Sequence, residues 1–389
     1  MFDFDLQWLL IGLPVAFALG WVASRFDFRQ WKRAESAAPK AYFKGLSLLL
    51  NEQHDKAIDA FIEAVQSDPD TTELHFALGN LFRRRGEFER AVRVHQHLLQ
   101  RADLPATERA RAQHALAQDF VKAGLLDRAD SAYQALEGTA FDTEARMARL
   151  QLAERARDWR RAVELAARLE ASGTGSFASR ISHHLCEVSL LASDRGQVAE
   201  AEEALRQARA AAPQAARPLL IAARRSVQQG DHRAAYDRYG ELIAKSPETL
   251  VLVAAEFAAS AIACDQAEAA RAVILRRHEL TPSVDLLRAL RLLDGAVRNP
   301  DDLPEAGARA QALLHLQPTL SAALEVLDAP LDSDDETTRR DVREAVARAA
   351  RPLRRYRCAA CGFEAQQHFW QCPGCLGWDT FPPQRIEEL

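Results

Sequence analysis

Residues 42–69, YFKGLSLLLNEQHDKAIDAFIEAVQSDP, combine an apolar helical pattern with small residues at Gly45 and Ala57. The next stretch repeats this arrangement, because Gly79 and Ala91 follow those two residues by 34 positions each. A fixed period of this length is typical of stacked helix pairs, in which each small residue leaves room for the facing helix. The sequence therefore predicts an array of helix pairs.

The same register continues along the chain. Its key alanines are separated by 34, 38, 33, 39, 34 and 34 residues, and insertions in connecting loops explain the departures from 34; they are Ala57, Ala91, Ala129, Ala162, Ala201, Ala235 and Ala269. The alternative is an alanine-rich bundle with accidental periodicity, which the correlated turn glycines argue against. The pattern resembles the tetratricopeptide repeat, which implies an all-α solenoid with a concave binding surface.

The register becomes hard to follow after about residue 277, although helices are still predicted. They are expected at 283–298, 305–317 and 337–350, with Pro300 and Pro304 marking a loop between the first two. The predicted organisation is an N-terminal anchor at 1–30, a repeat solenoid at 37–330, a connector helix at 331–351 and a metal-binding domain at 352–389.

Composition excludes several classes of protein. The 389 residues carry 50 Lys and Arg against 55 Asp and Glu, a formal net charge of −5, so an extended polybasic surface for nucleic acid is not expected. A hydrophobic fraction of 48% allows a substantial core and argues against wholesale disorder. Six cysteines in this length exclude a disulfide-stapled secreted scaffold.

The N-terminus predicts a single membrane-spanning helix. Residues 6–24 carry no charge, and as a helix they would span about 28 Å, close to the hydrocarbon thickness of a bilayer. The cations come after this run rather than before it, at Arg25, Arg29, Lys32 and Arg33. This order argues against a cleaved signal peptide and places the bulk of the chain in the cytoplasm. A buried or interfacial helix is the alternative.

Four cysteines near the C-terminus form the strongest chemical signal, with two CxxC pairs separated by ten residues: Cys358, Cys361, Cys372 and Cys375. Paired thiolates at this spacing predict one structural metal ion in a closed four-sulfur site. Two disulfides or four free thiols are the alternatives, and cytoplasmic placement argues against disulfides. Zinc is favoured over iron for abundance and redox stability, but four-sulfur coordination alone does not choose between them.

The other cysteines, histidines and clustered arginines are expected to have structural roles rather than to bind metal or nucleic acid. Cys186 and Cys264 are expected to be buried small apolar residues, and His368 a surface or packing residue. The pair His183 and His184 lacks the spacing of a metal site. Four arginines before the cysteines are interpreted as a solvated or domain-docking surface rather than a nucleic-acid patch; they are Arg351, Arg354, Arg355 and Arg357.

An N-terminal anchor, helical repeats and the tail YRCAACGF at 356–363 with FWQCPGC at 369–375 together resemble the lipopolysaccharide assembly protein B (LapB) family. The resemblance covers the whole chain and implies a rubredoxin-like metal domain held by the four cysteines of the two pairs. It also implies a single-pass inner-membrane protein that helps the membrane protease FtsH degrade the deacetylase LpxC. Partners in lipopolysaccharide transport, biosynthesis and sensing are implied as well.

The functional expectation is therefore an adaptor without catalytic residues or a bound organic cofactor. A membrane-tethered scaffold for envelope assembly, with no part in proteolysis, is the alternative. An enzyme or a nucleic-acid-binding ribbon is disfavoured, because no nucleophile with its base, phosphate loop or open metal position is recognisable. The metal domain is expected to dock on the final repeats as a cap for the end of the solenoid.

Overall fold

The computed structural model describes residues 14–21, 43–48, 50–51, 53–67, 71–297, 303–328 and 336–388. Residues 14–21 are helical, while the rest of the predicted anchor at 6–24 and the cations that follow it lie outside the described residues. Within these ranges, no helix combines the length and the hydrophobicity that a membrane crossing requires. The chain divides into two compact units, residues 1–157 and residues 158–389.

The first unit consists of helices joined by short turns. Residues 43–48 form a helical segment before α1, and the helices that follow are α1 (His54–Ser67), α2 (Thr72–Arg85), α3 (Phe88–Gln100), α4 (Ala106–Lys122), α5 (Leu126–Gln134) and α6 (Asp142–Arg155). Neighbouring helices pack in pairs, α2 with α3 and α4 with α5. Connections this short make each pair antiparallel.

The second unit continues with helix pairs and ends in a small β-containing module. Its helices are α7 (Trp159–Ala171), α8 (Ala178–Asp194), α9 (Val198–Ala211), α10 (Ala216–Gln228), α11 (His232–Lys245), α12 (Leu250–Ala263), α13 (Ala267–Leu280), α14 (Val284–Val297), α15 (Leu303–Leu316), α16 (Leu320–Leu327) and α17 (Glu336–Ala350). The module contains β1 (Tyr356–Arg357) and β2 (Glu364–Ala365), which pair antiparallel with Tyr356 opposite Ala365.

The small residues that set the period are buried between helices, as predicted. Six of the seven key alanines have no exposed surface: Ala57, Ala91, Ala129, Ala162, Ala201 and Ala235. The seventh prediction is wrong by one residue, because Ala269 is exposed and Ala270 is fully buried in its place. The spacing from Ala235 is therefore 35, and the adjacent alanines Ala269 and Ala270 follow a turn with no glycine to fix the register.

That turn adopts one backbone conformation from the second repeat onward. The residue five positions before the buried alanine has a positive φ in six repeats, and this residue is glycine in four of them: Gly86, Gly124, Gly196 and Gly230. Arg157 and Asp265 occupy the same position with φ of 56° each. Left-handed backbone is costly for Arg157 and less so for Asp265, because aspartate adopts this region more readily than most residues with a Cβ.

Close helix crossing explains the glycines inside the first helix of a pair. A Cβ built on Gly45 would lie 2.8 Å from a ring carbon of Phe61, and one on Gly79 would lie 2.5 Å from His95 Nε2. His95 is fully buried and its Nδ1 lies 2.5 Å from Asp119 Oδ2, which ties α3 to α4. The ring therefore has no room to move away from α2.

We expect Gly79→Ala to lower the free energy of unfolding of the protein by about 2 kcal/mol, because the added methyl group overpacks against the fixed His95 ring. Urea denaturation would measure the change. The matched control is Gly240→Ala, since Gly240 lies inside α11 and has no atom within 4 Å of its Cβ position. That control should stabilise the protein by about 0.5–1 kcal/mol. Equal effects of the two substitutions would contradict the packing argument.

Candidate metal centre

The two CxxC pairs come together in the module. All four Sγ atoms lie within 4.8 Å of one another. Cys358 Sγ is 3.8 Å from Cys375 Sγ, and Cys361 Sγ is 3.6 Å from Cys372 Sγ. A tetrahedral ion with metal–sulfur bonds of about 2.3 Å requires edges of about 3.8 Å. The four cysteines therefore fit one structural metal ion, and both zinc and iron suit a four-sulfur donor set.

Both pairs are built as the same tight turn. The Gly362 N–H donates to the carbonyl of Cys358 at 2.9 Å, and the Leu376 N–H donates to the carbonyl of Cys372 at 2.8 Å. Gly362 and Leu376 both have left-handed backbone, with φ of 76° and 59°. The Gly374 N–H also points at Cys372 Sγ over 3.3 Å. Backbone donors of this kind stabilise thiolates and so favour metal binding.

The environment of Cys358 favours its thiolate. Burial on its own raises the pKa of this thiol, but hydrogen bonds with Thr380 and with the backbone of Cys361 and Ala360 outweigh burial. Thr380 Oγ1 lies 3.2 Å from Cys358 Sγ, and the net result is a pKa of about 6. A backbone hydrogen bond from Phe363 lowers the pKa of Cys361, but burial and the neighbouring cysteines raise it to about 12, and burial raises the pKa of Cys372. A bound ion would therefore displace protons from these two thiols.

The other cysteines and His368 lie in structural positions. Cys186 is fully buried, and burial raises the pKa of its thiol to about 12, so it remains a neutral apolar side chain. Cys264 is only half-buried at the end of α12, where the prediction of a buried residue is wrong. His368 is a packing residue, since its Nε2 lies 3.1 Å from the carbonyl of Phe381 and burial lowers its pKa.

The loop after the second pair attaches the module to the repeats through Trp378. This ring stacks on His183 with centroids 4.8 Å apart and an interplanar angle of 14°. It also meets His184 and Trp159 edge to face, at 5.7 Å and 6.2 Å. Aromatic pairs at these distances contribute beyond the area that they bury. Trp378 is therefore the central anchor of the module on α7 and α8.

Asp379 adds a polar contact beside the stacked rings. Its Oδ2 lies 2.8 Å from His183 Nε2 and accepts from the Ser179 hydroxyl over 3.1 Å. Burial alone would raise the pKa of Asp379, but the hydrogen bonds from His183 and Ser179 and the charge of Arg217 lower it. The carboxylate is thus held ionised against α8.

In five successive repeats, the residue at the equivalent position of the first helix contacts the module. The residues at this position, 33 to 36 residues apart, are His183, Arg217, Leu252, Asp285 and Ser321. Arg217 lies over the Trp378 ring, and Leu252 packs on the apolar cluster that contains Tyr356 and Phe381. Arg385 pairs with Asp285 at 3.1 Å, and the Ser321 hydroxyl donates to Glu387 at 2.5 Å. The expectation of an end cap is therefore wrong, because the module lies along the first helices of these repeats.

Three of the four arginines before the cysteines form contacts within the protein. Arg354 donates to Ser321 Oγ at 3.0 Å, which confirms a docking role for this residue. Arg357 and Arg355 both pair with Glu364, at 2.9 Å and 3.7 Å. The docking function of His183 and His184 was missed at the level of sequence. The signal available in the sequence was the position of His183, which lies eighteen residues before the key alanine Ala201, as Arg217 lies eighteen residues before Ala235.

Comparison with known proteins supports the metal-binding module and identifies relatives of the whole chain. A family model described as "Rubredoxin metal binding domain" matches residues 356–383. The "Lipopolysaccharide assembly protein B" of Escherichia coli (strain K12) is 30% identical over 390 residues, covering 98% of each chain. The Haemophilus influenzae protein of the same name is 24% identical, covering 98% of this chain and 99% of that protein.

Among solved structures, a tetratricopeptide repeat protein from Parabacteroides merdae is similar to 66% of this chain and 98% of its own. Its sequence identity is 15% and its TM-score is 0.33, too low to support an argument about helix arrangement.

Proposed function

Because the chain belongs to the lipopolysaccharide assembly protein B family, we propose that it is a cytoplasm-facing adaptor of the inner membrane that restrains lipopolysaccharide synthesis. In this proposal it presents the deacetylase LpxC to the membrane protease FtsH. The observation that carries the proposal is a relationship over 98% of the chain, which includes the repeats and the metal module together.

The metal centre supports a role without catalysis. Four protein thiolates fill a tetrahedral coordination shell, so no position is left for a substrate or a reactive water. When bound, the ion would supply folding stability to a module of about 35 residues that has little apolar core. The chain's own contribution is to hold this module against the repeats through Trp378 and Asp379.

The first unit offers a surface for a client protein. The register position that the module covers in the second unit is occupied in the first by Glu73, Arg111 and Glu144. Glu73 and Glu144 are exposed, and Arg111 pairs with Glu73 across α2 and α4. A charged and accessible surface of this kind suits a protein partner, and tethering to the membrane would raise its concentration near a membrane protease.

Measuring the half-life of the deacetylase after depletion of this protein tests the proposal. The adaptor predicts a longer half-life, restored by expression of the wild-type chain. An unchanged half-life would contradict it and support a membrane-tethered scaffold for envelope assembly instead.

In the same cells, a chain without residues 1–30 should appear in the soluble fraction, because the proposed anchor at 6–24 has been removed. Retention of that truncated chain in membranes would contradict the anchor.

A further inference from the structure

A basic pocket in the second unit is separate from the metal module. It has a volume of about 250 Å³ and lies between α9, α10 and α11. The module contacts Arg217 in the first turn of α10, whereas the pocket uses the last turns of that helix. The residues that line it are Glu202, Leu205, Arg206, Arg209, Ala222, Arg225, Ser226, Gln229 and Arg238.

Two of the four arginines are neutralised by neighbouring carboxylates. Arg206 pairs with Glu203 at 2.5 Å, and Arg209 Nη2 donates to both carboxylate oxygens of Glu241, at 2.8 and 3.0 Å. Glu241 also accepts from Lys245 at 2.9 Å, and this hydrogen bond, with the charge of Arg209, lowers its pKa. Glu203 and Glu241 are therefore both paired with other cations, so neither carboxylate neutralises the remaining two arginines of the pocket.

The other two arginines lack a carboxylate partner. Arg225 Nη2 donates to the carbonyl of Val198 at 3.1 Å, while its Nη1 is buried without a hydrogen-bond partner. Arg238 donates to the hydroxyl of Ser226, whose oxygen also bonds the backbone of α10. Both side chains are half-buried, and neither forms an ion pair in the part of the chain that the structure describes. Glu202, the one carboxylate lining the pocket, is exposed.

Two partly buried cations on facing helices repel each other and lose hydration, so this arrangement is costly without a counter-ion. The charge that would balance it is two negative units. A phosphomonoester carries about −1.5 to −2 charges at pH 7, whereas a single carboxylate would leave one arginine uncompensated. The planar fork of donors on each guanidinium also matches phosphate oxygens.

We propose that this pocket binds the phosphoryl group of a small phosphorylated ligand, held by Arg225 and Arg238. Arg206 and Arg209 form its rim, and Leu205 and Ala222 supply apolar surface for the group attached to the phosphate. The site goes beyond the adaptor function, and its binding can be measured whether or not the protein acts in proteolysis.

Isothermal titration calorimetry on the purified full chain tests the proposal, with inorganic phosphate as the probe. The double variant Arg225→Gln/Arg238→Gln should weaken binding at least tenfold. The matched control is Arg233→Gln, an exposed cation on α11 that does not line the pocket and pairs with Asp237 at 3.5 Å. It should stay within twofold of wild type. Absence of binding to wild type, or equal loss in both variants, would overturn the site.

Two further probes identify the source of the phosphoryl group. Glucose 1-phosphate represents a soluble sugar phosphate, and short-chain dihexanoyl phosphatidic acid represents a lipid headgroup. Tighter binding of one of them, lost in the double variant, supports the site and assigns its ligand class. If neither probe distinguishes wild type from the double variant, the assignment to a phosphoryl ligand is wrong.

Thermal melting shows whether the variants are folded and whether phosphate stabilises the protein specifically. Phosphate should raise the Tm of wild type more than chloride does at the same ionic strength, and this difference should vanish in the double variant. If the double variant melts early in chloride, the single variant Arg238→Gln replaces it in both assays. An equal response of wild type to phosphate and chloride would show general screening and contradict a phosphate site.

Discussion

Replacement of Cys358 and Cys361 by serine is expected to abolish stoichiometric metal binding and unfold residues 352–389. Removing two of the four thiolates destroys the coordination shell, and metal binding in small modules of this kind is worth on the order of 10 kcal/mol. The apolar cluster left behind is small, since its buried members are Tyr356, Cys358, Cys372 and Phe381. Elemental analysis of the purified chain and limited proteolysis of its C-terminus would measure the two effects.

Cys264→Ser is the matched control, because this half-buried thiol lies at the end of α12 and outside the four-sulfur group. It should retain one metal ion per chain and a protease-resistant C-terminus. Stoichiometric metal in the double variant would contradict the assignment of the ligands. Loss of metal with an intact module would instead contradict the claim that the ion supplies the module's stability.

Replacement of Trp378 by alanine is expected to release the module from the repeats while leaving the metal bound. The substitution removes the stack on His183 and the edge contacts with Trp159 and His184. Truncating a packed tryptophan costs about 3 kcal/mol, which corresponds to an approximately 100-fold rise in the open population of the module. Hydrogen exchange of α8 and elemental analysis would measure the opening and the metal content.

The control for this prediction is Leu376→Ala, a truncation of an exposed apolar side chain two residues earlier in the same loop. It should leave the exchange of α8 close to wild type. Unchanged protection of α8 in Trp378→Ala would show that Trp378 does not hold the module. Loss of metal in that variant would show that docking and metal binding cannot be separated.

The metal ligands of the candidate site could be predicted from the sequence, whereas the surface on which the module docks could not. The ligands were predictable because a CxxC spacing forms a local turn that presents two sulfurs, and two such turns within eighteen residues need little else to meet. The docking surface was not predictable in the same way. His183 and Asp379 are 196 positions apart, and the residues around either one do not predict that the two side chains are in contact.

The same distinction applies to the repeats. The period of 34 followed from small residues that every helix crossing requires, so the helix pairs could be predicted from spacing alone. The shift from Ala269 to Ala270 could not, because Asp265 takes the left-handed turn that glycine takes in four other repeats, and an aspartate does not mark that turn in the sequence. Local preference alone predicts a glycine at such a turn.

The helical array, its period and the four sulfur ligands follow from the amino-acid sequence, since each depends on residues close together in the chain. The surfaces that these elements present to one another depend on how the repeats stack. Stacking aligns one position from each of five repeats into the row that receives the module, and it places Arg225 and Arg238 in one pocket, where neither forms an ion pair with a described residue. Contacts of this kind arise from the superposition of distant repeats, so no local pattern in the chain encodes them.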